Sequence, residues 1–249
     1  MPVSRWFLTV LAASGAAAGL RAQGLKPESL AEFARYVQAA EDRISARRNP
    51  PSVVGSGIQT VPGNGANPHK ISEAMIYDWV GTVFIPGVSL DRLIRMLQDY
   101  DHRAEYFPGV VASSKLLCRT GDDRFGFTMR IKEPVVADVE SDVVWERPDP
   151  RSAHCRSISG DVREIGTHHG YLHRLNSYWR FLDIGQGVVV EGETITLSGE
   201  FGSLMRTLGS LAGVNPEKSL RRTLASMRDS VCSAREFARP AEGLPACRP

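Results

Sequence analysis

At 249 residues the chain is long enough for one generous domain or two small ones around a real core. Lysine plus arginine, 30 in all, nearly balances 28 aspartates and glutamates for a formal net charge of +2, and no long basic run or aromatic-interleaved basic stripe occurs, which argues against nucleic acid as a partner. No nucleophile motif, glycine-rich phosphate loop or paired metal motif is present, so neither catalysis nor a cofactor has positive support.

The first residues read as an export leader. Arg5 precedes the apolar run Trp6 to Ala13 and the small-residue stretch Ser14 to Gly19, which predicts a signal peptide over 1–22 cut after Ala22. The apolar run is short for a membrane span. An exported, periplasmic or secreted chain would meet oxidising conditions, where Cys118, Cys155, Cys232 and Cys247 allow three pairings. Cys232 with Cys247 is favoured, both lying in the C-terminal segment. Cys118 with Cys155 follows if their strands are neighbours, buried free thiols being the alternative for that pair.

Over 23–48 the chain predicts one amphipathic helix, with Pro27 early, Ser29 and Glu32 in capping-box spacing, and a stripe of Leu30, Phe33, Val37, Ala40 and Ile44. It would pack on the main domain or on a partner. Residues 49–69 are rich in Pro, Gly, Asn and Ser and read as a linker.

The main domain is expected over 70–238. It opens with a strand from Glu73 to Pro86 in which Met75, Tyr77, Trp79, Val83 and Ile85 share a face. Ser89 suits an N-cap for a helix carrying Leu90, Leu93, Ile94 and Leu97, followed by a short helical or irregular piece over 102–107. From there the period becomes 2, with strands near 110–119, 124–132, 135–146 and 154–165, one face buried and the other wet. A long hairpin completes the series over 171–198, turning at Gly185-Gln186-Gly187. Its first strand puts His173, Leu175, Ser177, Trp179 and Phe181 on one face and Arg174, Asn176, Tyr178 and Arg180 on the other, with Glu191 and Glu193 returning opposite the arginines.

A glycine-interrupted apolar stripe, Phe201 to Leu211, suits a movable cover, a plain packing segment or transient contact with a membrane surface. Asn215-Pro216-Glu217 then starts a long helix with the stripe Leu220, Leu224, Met227, Val231, Ala234 and Ala238, and residues 239–249 form a tail. So long an apolar stripe needs the concave face of the sheet. His168, His169 and His173 do not make a metal site: residues four apart on a strand are separated by about 13 Å, too far to share an ion.

This order of strand, two short helices, antiparallel meander and closing helix resembles the START-like or SRPBCC superfamily, with its helix-grip fold. The best matches are Trp79-Val80-Gly81-Thr82-Val83, Tyr178-Trp179-Arg180-Phe181 and the Asn-Pro-Glu-capped final helix. The resemblance implies an α+β domain in which a curved antiparallel sheet of about six or seven strands wraps the last helix around a cavity for an apolar molecule such as a lipid or isoprenoid. Tyr77, Trp79, Phe125, Phe127, Met129, His173, Trp179, Leu224 and Met227 would be its wall. Tyr178, Arg180, Glu191 and Glu193 would either orient the ligand there or pair across the wet face. A cyclase or dehydratase acting on a polyketide, with a pocket His, Tyr or Glu moving protons, and a filled-core envelope protein are the alternatives. Oligomeric state is left open.

Overall fold

The computed structural model describes residues 25–47, 57–65, 67–133, 135–166, 171–199, 215–233 and 235–247. The leader, His168, His169 and the stripe from Phe201 to Leu211 lie outside the described residues.

The strand-forming pattern yields one antiparallel sheet. Its strands are β1 (Gln59–Pro62), β2 (His69–Ile71), β3 (Ala74–Pro86), β4 (Val111–Thr120), β5 (Arg124–Ile131), β6 (Ala137–Asp149), β7 (Ser152–Glu164), β8 (Arg174–Asp183) and β9 (Gly187–Gly199). They follow the order β1-β3-β9-β8-β7-β6-β5-β4, with β2 also on β3. The meander from β4 to β9 is the one the alternation predicts. Helices are α1 (Pro27–Ala46), α2 (Leu90–Gln98), the single turn α3 (Arg103–Tyr106) after a 3-10 turn over Tyr100–His102, and α4 (Pro216–Val231). This is the α+β helix-grip arrangement: the sheet closes around α4.

At the start of α4, Asn215 accepts a hydrogen bond from the Lys218 amide at 3.0 Å, and Pro216 occupies the first turn, where no amide is needed. Leu220, Leu224, Met227 and Val231 are buried against the sheet. Two paired glycines make room on this face, one for the helix and one for an indole. Gly81 and Gly192 are paired on β3 and β9, and a Cβ on Gly81 would stand 2.6 Å from Leu224, while one on Gly192 would stand 2.2 Å from the Trp179 ring. On the far side Tyr100 packs on Phe125 and Phe127, and Trp145 donates its indole N–H to the Tyr100 hydroxyl at 2.9 Å.

Five expectations are corrected. The supposed linker contains β1 and the first residue of β2, and both strands pair with β3 in separate registers; as short edge strands they tolerate the Pro and Gly that argued for a linker. Among the described residues the sheet therefore has nine strands, not six or seven. Ser29 and Glu32 form no capping box: Ser29 donates to the Ser72 carbonyl, and Glu32 accepts from the Ser72 hydroxyl at 2.6 Å, so both fasten α1 to the turn before β3. The last helix stops at Val231, because Arg92 takes the carbonyls of Val231, Ser233 and Arg235 and Phe237 folds back edge-on to Tyr106. The disulfide joins Cys118 to Cys247, with Cys155 buried and Cys232 exposed as free thiols. Cys118 lies on the edge strand β4, where the C-terminal segment adds a bond from the Arg119 amide to the Pro245 carbonyl at 3.0 Å, so the tail runs along the sheet edge.

Candidate functional site

The concave face of the sheet and α4 enclose a cavity of about 140 Å³. Its walls are set by strand register. Phe127 and Met129 come from β5, Val143 and Trp145 from β6, Trp179 and Phe181 from β8, and Leu220 and Met227 from α4. Across this apolar floor runs a row of hydroxyls: Ser157 on β7 is paired with Ser177 on β8, which is paired with Thr194 on β9. Thr196 lies two residues on, 4% exposed, with no hydrogen-bond partner for its hydroxyl. Ser177 accepts from the Trp179 indole N–H at 3.2 Å. An apolar enclosure with a few convergent polar groups is the usual make-up of a small-molecule site.

Three ionisable or reactive side chains enter the wall. Arg103 comes from α3, with its guanidinium 4.7 Å from the Tyr100 ring centre and 4.9 Å from that of Phe127. Glu133, after β5, is paired with Arg222 of α4. Cys155 on β7 is a free thiol whose pKa burial pushes up to about 12, with Arg103 pulling weakly the other way, so it is protonated at neutral pH and is a poor nucleophile.

Of the wall residues expected from sequence, the structure places Phe127, Met129, Trp179 and Met227 on the cavity. Phe125 and Leu224 sit behind it, packed on Tyr100 and over Gly81. Tyr77 and Trp79 share the concave face by register but stand away from the cavity lining. His173 precedes β8, its amide donating to the Leu197 carbonyl, also away from the lining. Arg103, Trp145, Cys155 and the hydroxyl row were not read from the sequence as site residues.

For Tyr178, Arg180, Glu191 and Glu193 the cross-strand alternative holds in part, since Arg180 pairs with Glu191 opposite it, and the expectation of a wet face is corrected. They point to the opposite, convex face, yet that face is not wet, because α1 lies across it. Glu191 and Glu193 are each 2% exposed. Arg43 in the last turn of α1 and Arg47 just past its end reach down to them: Arg43 pairs with Glu193 and, at 3.1 Å, with Asp78, while Arg47 lies 2.9 Å from Glu193 and 3.6 Å from Glu191. Arg180 completes the layer, 3.4 Å from Glu191 and donating to the Arg47 carbonyl at 2.5 Å. Tyr178 instead donates to Glu41 of α1 at 2.9 Å. Three arginines thus face three buried carboxylates. Burial, reinforced by the charge of Asp78, pushes Glu193 up to about 7 against the pull of Arg43 and Arg47, and burial raises Asp78 as well. This layer binds α1 to the sheet; it does not face a ligand in the cavity.

No family model matches the sequence, and no curated protein matches it. Solved structures do. A STAR-related lipid transfer protein fragment from Xanthomonas axonopodis is 16% identical, over 66% of this chain and 97% of that one, with a TM-score of 0.47. A START superfamily protein from Mycobacterium smegmatis is 9% identical, over 63% and 96%, at 0.43. The Zhui aromatase/cyclase from a Streptomyces species is 14% identical, over 63% and 91%, at 0.42. The antiparallel sheet closed on α4 repeats the helix-grip order, and what the cavity does rests on its own residues.

Proposed function

We propose that this chain binds an apolar small molecule in the cavity between the sheet and α4, and that it does so after export. The observation that carries the binding reading is the enclosure itself: aromatic and aliphatic walls from β5, β6, β8 and α4, with a short hydroxyl row on the floor. Its volume is on the order of one that takes a benzene ring, below the roughly 300 Å³ at which drug-sized sites begin, so a ring or short chain fits as the cavity stands. Export is supported by the leader-like residues 1–22 and by the Cys118–Cys247 disulfide, which suits an oxidising compartment. A proton-moving enzyme loses the side chains the sequence offered for it, since Tyr178 and Glu193 face α1 and His173 stands away from the lining.

The small volume is the one observation that favours a filled-core envelope protein instead. Mass spectrometry of an organic extract of the protein from its own envelope fraction separates the two readings, with an unrelated protein handled alike as control. A stoichiometric apolar species is expected. An extract that stays empty after lipid is added back would move the reading to the filled core.

A further inference from the structure

The cavity wall contains one partly buried guanidinium with no acidic partner among the described residues. Arg103 donates from one terminal nitrogen to the Leu97 carbonyl at 2.7 Å, while its Nε is buried without an acceptor. Among the described residues it makes no ion pair. The acids of its own stretch are engaged elsewhere. Asp99 accepts from His102 at 2.7 Å, from the Tyr106 hydroxyl at 2.5 Å and from the Ala238 amide at 3.1 Å. Asp101 is 3.1 Å from Lys115 and accepts from the Leu116 amide, and Glu105 pairs with Arg235. Glu133, the acid in the cavity wall, is held by Arg222. A guanidinium is charged at every accessible pH, and a buried charge is tolerated when it is paired. The ring faces of Tyr100 and Phe127 supply part of that compensation. The Tyr100 hydroxyl also takes a side-chain hydrogen bond from the guanidinium, and the Nε–H is the donor left without an acceptor.

We propose that Arg103 anchors the carboxylate of the ligand, and that the cavity takes apolar monocarboxylic acids in preference to neutral apolar molecules of the same size. This rests on the binding reading above. A carboxylate matches the planar fork with two parallel hydrogen bonds and a single negative charge, while its apolar body would lie on the Phe127, Trp179 and Met227 wall. The balance of one positive charge against one negative selects a monoanion over a phosphate.

The test is titration calorimetry of the full chain with two matched pairs, phenylacetate against phenylethanol and hexanoate against hexanol. The acid of each binding pair is expected to bind about ten- to a hundredfold more tightly than its alcohol, the range for hydrogen bonds to a charged partner. Arg103→Met is expected to bring that ratio to about one, and Arg103→Lys, which keeps the charge without the fork, to an intermediate value. If Arg103→Met does not fold by near-ultraviolet circular dichroism, the wild-type ratio alone decides. Equal binding of acid and alcohol would overturn the carboxylate anchor and leave apolar binding standing. Silence of all four compounds would overturn both.

Discussion

Glu193 offers the most demanding check on the physical reasoning, because two opposed effects act on it and their sum has a sign. Two arginines favour its ionised form; burial at 2% exposure and the neighbouring Asp78 disfavour it. With burial winning, the carboxyl rises from an ordinary 4.5 to about 7 on folding. The folded state then holds a proton that the unfolded state has released. Stability from this group is present in full below pH 4.5 and is lost as pH climbs through 7, at about 1.4 kcal/mol per pH unit, or about 3 kcal/mol in all. Glu193→Gln mimics the protonated form and removes that dependence. Urea denaturation of both proteins between pH 4.5 and pH 8 should show the wild type falling relative to the variant until their order levels off above 7. A wild type that gains on Glu193→Gln as pH rises would refute the reasoning, since it would mean that Arg43 and Arg47 hold the carboxylate ionised and that the layer is stabilised by its charges.

Further outcomes follow from packing and covalent structure. Leu224→Ala removes a fully buried side chain seated over Gly81 and should cost about 2 to 5 kcal/mol, read as a lower urea midpoint. Thr196→Val conserves volume and removes a buried hydroxyl that has no partner, so thermal melting should show a stability unchanged or raised by about 1 kcal/mol; a loss of that size would mean the hydroxyl is satisfied by bound water. Cys247→Ser opens a ring spanning 129 residues and should cost about 2 to 5 kcal/mol, with Cys118→Ser costing the same and the double variant no more. Gly192→Ala drives a methyl into the Trp179 ring and should alter the near-ultraviolet signal of that indole along with stability.

The meander was legible because β5 and β6 carry apolar residues on one face and charges such as Asp138 and Glu140 on the other, a period of 2 that only one register satisfies. The same logic failed on β9. Glu191 and Glu193 alternate as a wet face should, but α1, some 150 residues earlier, covers that face, and period alone carries no record of a cover so distant in sequence. Arg43 and Arg47 were the available clue, since a spacing of four at the end of a helical stripe sets two cations on one side of the chain. Arg103 escaped for a different reason: it sits on one helical turn after a 3-10 turn, too short for any periodicity to say which way it points. The disulfide escaped because closeness along the chain favours Cys232 for Cys247, whereas the pairing depends on the tail returning to the sheet edge at β4.

That return has a mechanical consequence. The Cys118–Cys247 bond turns the stretch from β4 to the tail into a covalent loop, and α4 is threaded on it between two fixed points, β9 behind and the cystine ahead. Opening that bond frees the chain beyond α4 from the sheet edge. If the cavity binds as proposed, cutting that bond with a reductant should speed exchange of a bound molecule more than it changes how well that molecule fits.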